Sequence, residues 1–404
     1  MKFFKAEDLS VCKNIVKENL HHAILKSVSK KVEDAVGDTL TADVFCDEEY
    51  PKYNRSTVDG YAIVWDDASC ASASVPSIIK VVGAVKIGQS PDGEVKKSEC
   101  FSIPTGGVVP NGANAVVMVE DVEVAGDEIA VYSAVKPWEN VIRHGEELQK
   151  GSLIVKKGDV LSALSVGALS ALGVGEVEVF CGLRASVIST GDELVDASSP
   201  AENGKIRDVN TPMLSASIKK DGFTLVSATR VKDVENDIRD AVHDAVKKSD
   251  VVFISGGSSI GAKDFTERVL SDGEILMHGL ALKPGKPTIL AKIENTLVVG
   301  LPGNPFATYM VYNEIISSVV KEMRGQAEKT LECFSACNFP STAGRTTLQL
   351  VSVEFDGTRY VATPVFLKSA NLVTALKANG YIRIFKDAEG IYKDALLKVI
   401  PIEL

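Results

Sequence analysis

A multidomain α/β protein is what this sequence predicts, and three observations carry the prediction. At 404 residues the chain exceeds what one hydrophobic core normally serves. Between about 46 and 139, short β-rich runs alternate with clusters of turn residues. From 183 onward strand-like and helix-like segments alternate, the signature of a mostly parallel sheet covered by helices.

Residues 7 to 31 read as helix, because Val11, Ile15, Val16 and Leu20 recur at helical spacing and Asp8 or Ser10 can cap the start. The runs "SIIKVVGAV", "AVVMVEDVEV" and "EIAVYSAV", separated by "PDG", "PNGAN" and "AGDE", indicate a small antiparallel domain. Residues 161 to 180, "LSALSVGALSALGVGEVEVF", form a small-residue helix ended by glycine and followed by a strand. Its serines and glycines favour a core helix over a membrane span. Next come "ASVIST", "TPMLSASIKKDG", "TLVSATRV", the charged helix "VENDIRDAVHDAVKKS", "DVVFIS" with its loop and helix, "TLVVGLPG" and "PFATYMVYNEIISSVVKEM". After about 326 short strands return ("RTTLQLVSVEF", "RYVATPV", "GYIRIF", "ALLKVI"), indicating a C-terminal β domain.

Composition narrows the function classes. Apolar residues at 45% and charged residues at 24% are ordinary for a soluble globular protein. A formal charge of −10 argues against a general nucleic-acid binder, which needs a basic face to displace counterions. The seven cysteines form no C-x-x-C, and the spacing of Cys333 and Cys337 alone makes no zinc site. Reduced thiols in a cytosol are therefore expected. The start "MKFFKAEDLS" lacks a signal-peptide core, and no run of about 18 apolar residues occurs elsewhere, so a soluble intracellular protein without membrane association is expected.

The strands of the α/β region end in the polar loops "STGDEL", "RVKD", "SGGSSIGAKD" and "GLPGNP". In a parallel sheet these emerge on one edge, beyond the carboxyl ends where ligands bind. That edge offers Glu193, Asp233 and Asp264, with glycine-rich backbone able to turn amides toward an anion. Each member also has a plain structural reading. Asp264 with Glu267 fits a capping box, Asp192 and Glu193 fit a turn and a solvated carboxylate, and Asp233 can begin a helix. "LKPGKPTIL" sets Lys283 and Lys286 around a Pro-Gly turn but fails the Walker A spacing. It is either two ammonium groups held near an oxyanion or a solvated β-turn. "NRSTVDGYAI" sets Asp59 beside Gly60, locally a hairpin signal, and Thr105-Gly106-Gly107 reads as a loop. No H-E-x-x-H pairs any of the five histidines, and no G-x-S-x-G occurs, so zinc and serine hydrolases lack support.

In order along the chain, "STVDGYAI", "PTGGVVPNGANAVVMVED", "RHGEEL", "STGDELV", "GKIRDVN", "SGGSSIGAKDFT", "LKPGKP" and "GLPGNP" resemble the molybdopterin molybdenumtransferase family, the molybdenum insertases related to the C-terminal domain of gephyrin. They span residues 56 to 305, and "KSANLVTALKANGY" extends the likeness. One such motif is weak; eight in order are highly specific. The resemblance implies an elongated four-domain protomer. Its parts are a segmented helical domain (1–45 plus 140–178), an inserted β domain (46–139), a molybdopterin-binding three-layer α/β domain (179–325) and a C-terminal β domain (326–404). It also implies insertion of molybdate or tungstate into adenylylated molybdopterin, with release of AMP and use of Mg2+. The enzyme would be a cytoplasmic homodimer, with a molybdopterin adenylyltransferase and molybdoenzyme acceptors as candidate further partners.

On this resemblance Ser255, Gly256, Gly257, Ser258 and Gly261 cradle the pterin phosphate, Asp208 and Pro284 are further cofactor-binding residues, and Ser369 contacts the oxyanion. Glu193, Asp233 and Asp264 hold the cation, while Lys283 and Lys286 neutralise molybdate or phosphate. Asp59, Thr105 and Glu147 reach in from a second protomer. Several positions depart from the family pattern. Glu147 stands where Asp is usual, and Gly279 where some bacterial members have Lys, leaving His278 as the nearest candidate cation. Leu350 stands where some have Arg, Lys368 where Gly is common, and Ala307 where serine is usual. These bear on the oxyanion contacts. Two other readings are an adenylyltransferase, whose short family lacks the inserted β domain and "PGKP", and a non-catalytic molybdopterin-binding scaffold. The acidic residues favour catalysis.

Overall fold

Side chains that alternate between two apolar clusters build the α/β region in three layers. In the Val251–Ser255 strand, Val251 and Phe253 enter one cluster while Val252 and Ile254 enter the other. The first side is covered by the helices Leu9–Ile24, Asn210–Lys220 and Pro305–Tyr312, through Leu20, Leu214 and Val311. The second is covered by Glu235–Val246 and Lys263–Leu270, through Val242 and Val269. Full burial of such a side chain stabilises by about 1.5–3 kcal/mol, so a strand apolar on both faces has to be sandwiched.

This computed structural model describes residues 6–256, 263–341, 344–367 and 372–402. The chain divides into two units, one of residues 1–42, 157–166 and 175–404, the other of 43–156 and 167–174. In the first unit the α/β sheet runs Thr224–Val231, Arg184–Thr190, Val251–Ser255, Thr296–Leu301, Ile289–Ile293, Glu274–His278. The first four strands are mutually parallel, as expected, so their loops leave on one edge. The last two pair antiparallel.

The C-terminal strands close on themselves. Thr346–Phe355 pairs with both Tyr360–Pro364 and Gly380–Ile384, around a core of Phe339, Val351, Ile382 and Val399. Leu282–Lys283 joins this barrel-like sheet by pairing in parallel with Thr346–Thr347. A π-helical turn, Asn313–Ser317, sits before the Ser318–Met323 helix and carries the fully buried Glu314. Glu314 accepts from Tyr381 Oη at 2.7 Å and from Arg383 Nε at 3.0 Å. Arg383 also donates to Glu328 at 2.8 Å.

That second pairing holds the Glu328 carboxyl below its ordinary 4.5. A depressed carboxylate contributes stability that is full above the unfolded value and lost as pH falls through the folded one. Glu328→Gln is thus expected to cost about 1 kcal/mol above about pH 5. The deficit should vanish in acid, as read by urea unfolding at several pH values. A pH-independent deficit would assign it to packing.

The second unit holds a six-stranded sheet, Ala115–Met118, Gly60–Ile63, Glu99–Ile103, Ser77–Ala84, Glu128–Val131, Val122–Ala125. It is not wholly antiparallel as expected, since Ser77–Ala84 and Glu99–Ile103 pair in parallel. A parallel pair needs a crossover in place of a hairpin, and residues 85–98 supply it. The expected Asp59-Gly60 hairpin is absent too. Gly60 opens a strand paired with Glu99–Ile103 and Ala115–Met118. A β-carbon on Gly60 would lie 1.9 Å from Val117 O, so close backbone approach is why glycine stands there.

The helix expected over 7 to 31 ends at Ile24, and Ser27–Lys31 pairs with Glu176–Phe180 as a strand. Tertiary pairing overrides helical spacing there. Asp8 makes no side-chain cap and instead accepts from Lys386 at 2.7 Å. Among the described residues no helix is long and apolar enough to cross a membrane.

Candidate active site

Parallel strands deliver Thr190, Ser255 and the "GLPGNP" loop to one edge. Ser255 pairs with Ser189 on one side and Leu301 on the other, so Gly256 follows directly beside Thr190. Gly256 has φ +135°, and a β-carbon there would lie 2.2 Å from Thr190 O. Only glycine lets the loop turn this tightly against the neighbouring strand. The next residues, Gly257, Ser258 and Gly261, lie outside the described residues, as does Ser369. Asp264 belongs to the Lys263–Leu270 helix, and its side chain is likewise outside the description.

Buried polar atoms without partners mark this edge. Among the described residues, Thr190 Oγ1, Ser255 Oγ, Asp233 Oδ1 and Asn210 Oδ1 find no hydrogen bond. Leaving such a group unpaired costs about 1–3 kcal/mol, so a cluster of them needs an explanation. A bound polar ligand is one that also explains the glycine-rich loop. Thr190 and Asn210 were not singled out from the sequence. Both lie inside quoted motifs, but burial and missing partners are tertiary properties that no local signal carries.

Asp233 follows the Thr224–Val231 strand, and its N–H donates to Asp192 Oδ1 at 3.3 Å. Burial pushes its carboxyl above the ordinary range. The charges of Glu193 and Asp192 push the same way, while the nearby Thr190 hydroxyl works against them. Thr190 nevertheless falls short of hydrogen-bond geometry, because its oxygen and Asp233 Oδ1 both stay unpartnered. Mutual repulsion among carboxylates is what a divalent cation relieves. Among the described residues no group of three or more His, Cys, Asp or Glu is set to hold a metal. Mg2+ usually keeps waters and takes one or two carboxylates with substrate phosphates, so Asp233 and exposed Glu193 fit such an ion.

Asp208 was expected at the ligand. Its Oδ1 accepts from Thr211 N–H at 3.1 Å and its Oδ2 from Thr211 Oγ1–H at 2.6 Å, which fixes the start of the Asn210–Lys220 helix. The "PGKP" turn is stiff, as anticipated. Thr288 Oγ1 donates to Gly285 O at 2.7 Å, and Leu280 N–H donates to Lys286 O at 3.0 Å. Gly285 has φ +133°, and a β-carbon would lie 2.6 Å from Val311 Cγ2. Lys283 and Lys286 on this turn are exposed, and Pro284 is half-buried between them.

The departures now have places. Gly279 has φ +99°, a conformation that lysine adopts only with strain. Half-buried His278 sets Nδ1 3.6 Å from Glu267 Oε1. Leu350 packs in the main core at 2% exposure, and Ala307 is buried at the start of a helix capped by Asn304. Both are packing residues here. Lys368 lies outside the described residues.

In the second unit, Asp59 Oδ1 accepts from Thr105 N–H at 2.7 Å, bringing together two residues 46 apart. The same stretch anchors the third motif. Ser56 pairs with Val141, and Asn54 Oδ1 accepts from His144 N–H at 2.7 Å, which holds the turn before exposed Glu147. Asp59, Gly60, Tyr61, Ser102, Pro104 and Val119 line a shallow depression on this unit.

Comparison with known proteins agrees along the length of the chain. A family model for the MoeA N-terminal region (domains I and II) matches residues 10–173. A model for a probable molybdopterin binding domain matches 186–322, and one for the MoeA C-terminal region (domain IV) matches 335–402. A putative molybdopterin biosynthesis protein of Methanocaldococcus jannaschii is 30% identical over 91% of this chain and 90% of its own length. The molybdopterin molybdenumtransferase of Haemophilus influenzae is 30% identical over 79% of each chain. A crystal structure of a molybdopterin biosynthesis MoeA protein from Pyrococcus horikoshii, 30% identical, superposes with a TM-score of 0.80 over 98% of this chain and 99% of its own.

Proposed function

Since this chain belongs to the MoeA family and is a molybdopterin molybdenumtransferase of molybdenum-cofactor biosynthesis, we propose that it takes molybdopterin in adenylylated form and inserts molybdenum from molybdate while releasing AMP. The observation that carries this reading is the group of buried polar atoms, without partners among the described residues, beside positive-φ Gly256. A pterin nucleotide has the mixed donors and acceptors to satisfy such a group, and its phosphates suit a glycine-rich turn before a helix. Tungstate is a candidate alternative oxyanion.

The residues take the following parts. Gly256, Gly257, Ser258 and Gly261 present backbone amides to the phosphate, with Ser255 and Asp208 beside them and Ser369 at the oxyanion. Asp233, Glu193 and Asp264 hold Mg2+, which when bound draws charge from the phosphoanhydride oxygens. Lys283 and Lys286, held by the stiff turn around Pro284, neutralise the oxyanion and keep it against the substrate. The dithiolene chemistry itself belongs to the pterin.

We place the reaction in a homodimer, with Asp59, Thr105 and Glu147 of a second protomer completing each site. The fixed Asp59–Thr105 contact supports a shared role for that pair. All seven cysteines are free, which fits a reducing cytosol. An adenylyltransferase upstream and molybdoenzymes downstream are the partners this reaction requires.

Purified protein with adenylylated molybdopterin, Mg2+ and molybdate is expected to release AMP, and omission of molybdate to abolish most of that release. AMP release that ignores molybdate would overturn the insertion step. In the same assay, Asp59→Asn and Glu193→Gln chains should each be silent alone yet regain activity when co-folded. Silent mixtures would count against the shared site.

A further inference from the structure

We infer that Asn210 determines substrate specificity by accepting a hydrogen bond from a donor on the organic part of the substrate, an N–H of the pterin or a hydroxyl of the nucleotide ribose. This rests on the function proposed above and names what one part of that site recognises. Asn210 opens the 11-residue helix Asn210–Lys220 and is only 8% exposed. Its Nδ2 donates to Gly303 O at 3.0 Å. A carbonyl can only accept, so this bond fixes which way the carboxamide points and leaves Oδ1 as the open atom.

Oδ1 is buried and has no partner among the described residues. Nearby Asp208 cannot supply one, because a carboxylate carries no donor and both its oxygens already accept from Thr211. Gly303 lies two residues beyond Leu301, which pairs with Ser255. Asn210 therefore sits on the edge where Ser255 Oγ and Thr190 Oγ1 are also buried and find no partner among the described residues. The two hydroxyls can donate to phosphate or molybdate. Asn210 Oδ1 cannot be matched that way, since those oxyanions offer acceptors only. A divalent cation and a buried water are the other species that could take it; chelator removes the first, and an unchanged affinity of Asn210→Ala would mark the second.

The test is equilibrium binding of metal-free molybdopterin and, separately, of AMP, in EDTA. Asn210→Ala is expected to weaken one of the two ligands about tenfold. Loss on molybdopterin assigns the donor to the pterin, and loss on AMP assigns it to the ribose. Either supports the inference. Asn210→Asp keeps an acceptor in place while losing the Gly303 bond, and should bind within about threefold of the parent. Wild-type affinity of Asn210→Ala for both ligands overturns the inference. So does Asn210→Asp as weak as Asn210→Ala, since that pattern marks Gly303 anchoring alone. Should Asn210→Ala fail to fold by far-UV CD, Asn210→Asp decides by the same threefold and tenfold limits. An unmodified chain that binds neither ligand refutes the proposed function itself, and the inference with it, a result distinct from an unchanged variant.

Discussion

Gly256→Ala is expected to cost about 2–4 kcal/mol of stability and to lower AMP release at least tenfold. The β-carbon would sit 2.2 Å from Thr190 O and 2.5 Å from Thr190 Oγ1, at a φ of +135°. Relieving that overlap means moving backbone, because the neighbour is the last residue of the Arg184–Thr190 strand, held in place by its pairing with Val231. Strain of this kind costs about 1–3 kcal/mol, and overpacking about as much again. A loop displaced by even an ångström would also lose its aim at the phosphate. Thermal unfolding and the AMP-release assay together read both effects. Wild-type values in the two assays would mean that the loop turns elsewhere.

Glu314→Ala is expected to destabilise the first unit by about 3–5 kcal/mol, the largest loss from any single side chain considered. Glu314 has no exposed surface and accepts from both Tyr381 and Arg383. Lys13 Nζ lies 3.7 Å from it as well. Removing the carboxylate leaves the Tyr381 hydroxyl unpaired and the Arg383 guanidinium, 16% exposed, with Glu328 alone. Glu314→Gln retains an acceptor for Tyr381 and should lose less. Denaturant unfolding followed by a probe in the C-terminal barrel is the measurement, since the two units can unfold separately. A change below about 1 kcal/mol would show that Glu328 satisfies Arg383 unaided.

Much of this protein was legible before any coordinates. Strand–helix alternation after 183 predicted the parallel edge, and the four strands carrying "STGDEL", "RVKD", "SGGSSIGAKD" and "GLPGNP" run parallel. The errors have physical causes. Ser27–Lys31 looked helical only as a continuation of the spacing that ends at Leu20, and backbone pairing with a strand 149 residues away makes it a strand whose side chains stay mostly exposed. Asp59-Gly60 looked like a hairpin because the local letters match one. The real demand on Gly60 is the Val117 carbonyl, a contact between residues 57 apart.

The sequence by itself determined the family, the order of the elements and the polar loops at the strand ends. Those are local or ordered properties, held in motif letters, periodicity and the glycines that particular turns require. Only the tertiary structure decided which polar atoms lack partners. It showed Asp208 engaged by Thr211 while Asn210 Oδ1, two residues on, finds no partner among the described residues. It showed Asp233 raised by burial and by Glu193, and Leu350 committed to the core. Burial, hydrogen-bond satisfaction and charge proximity depend on distances between residues far apart in the chain, and a linear pattern does not contain those distances.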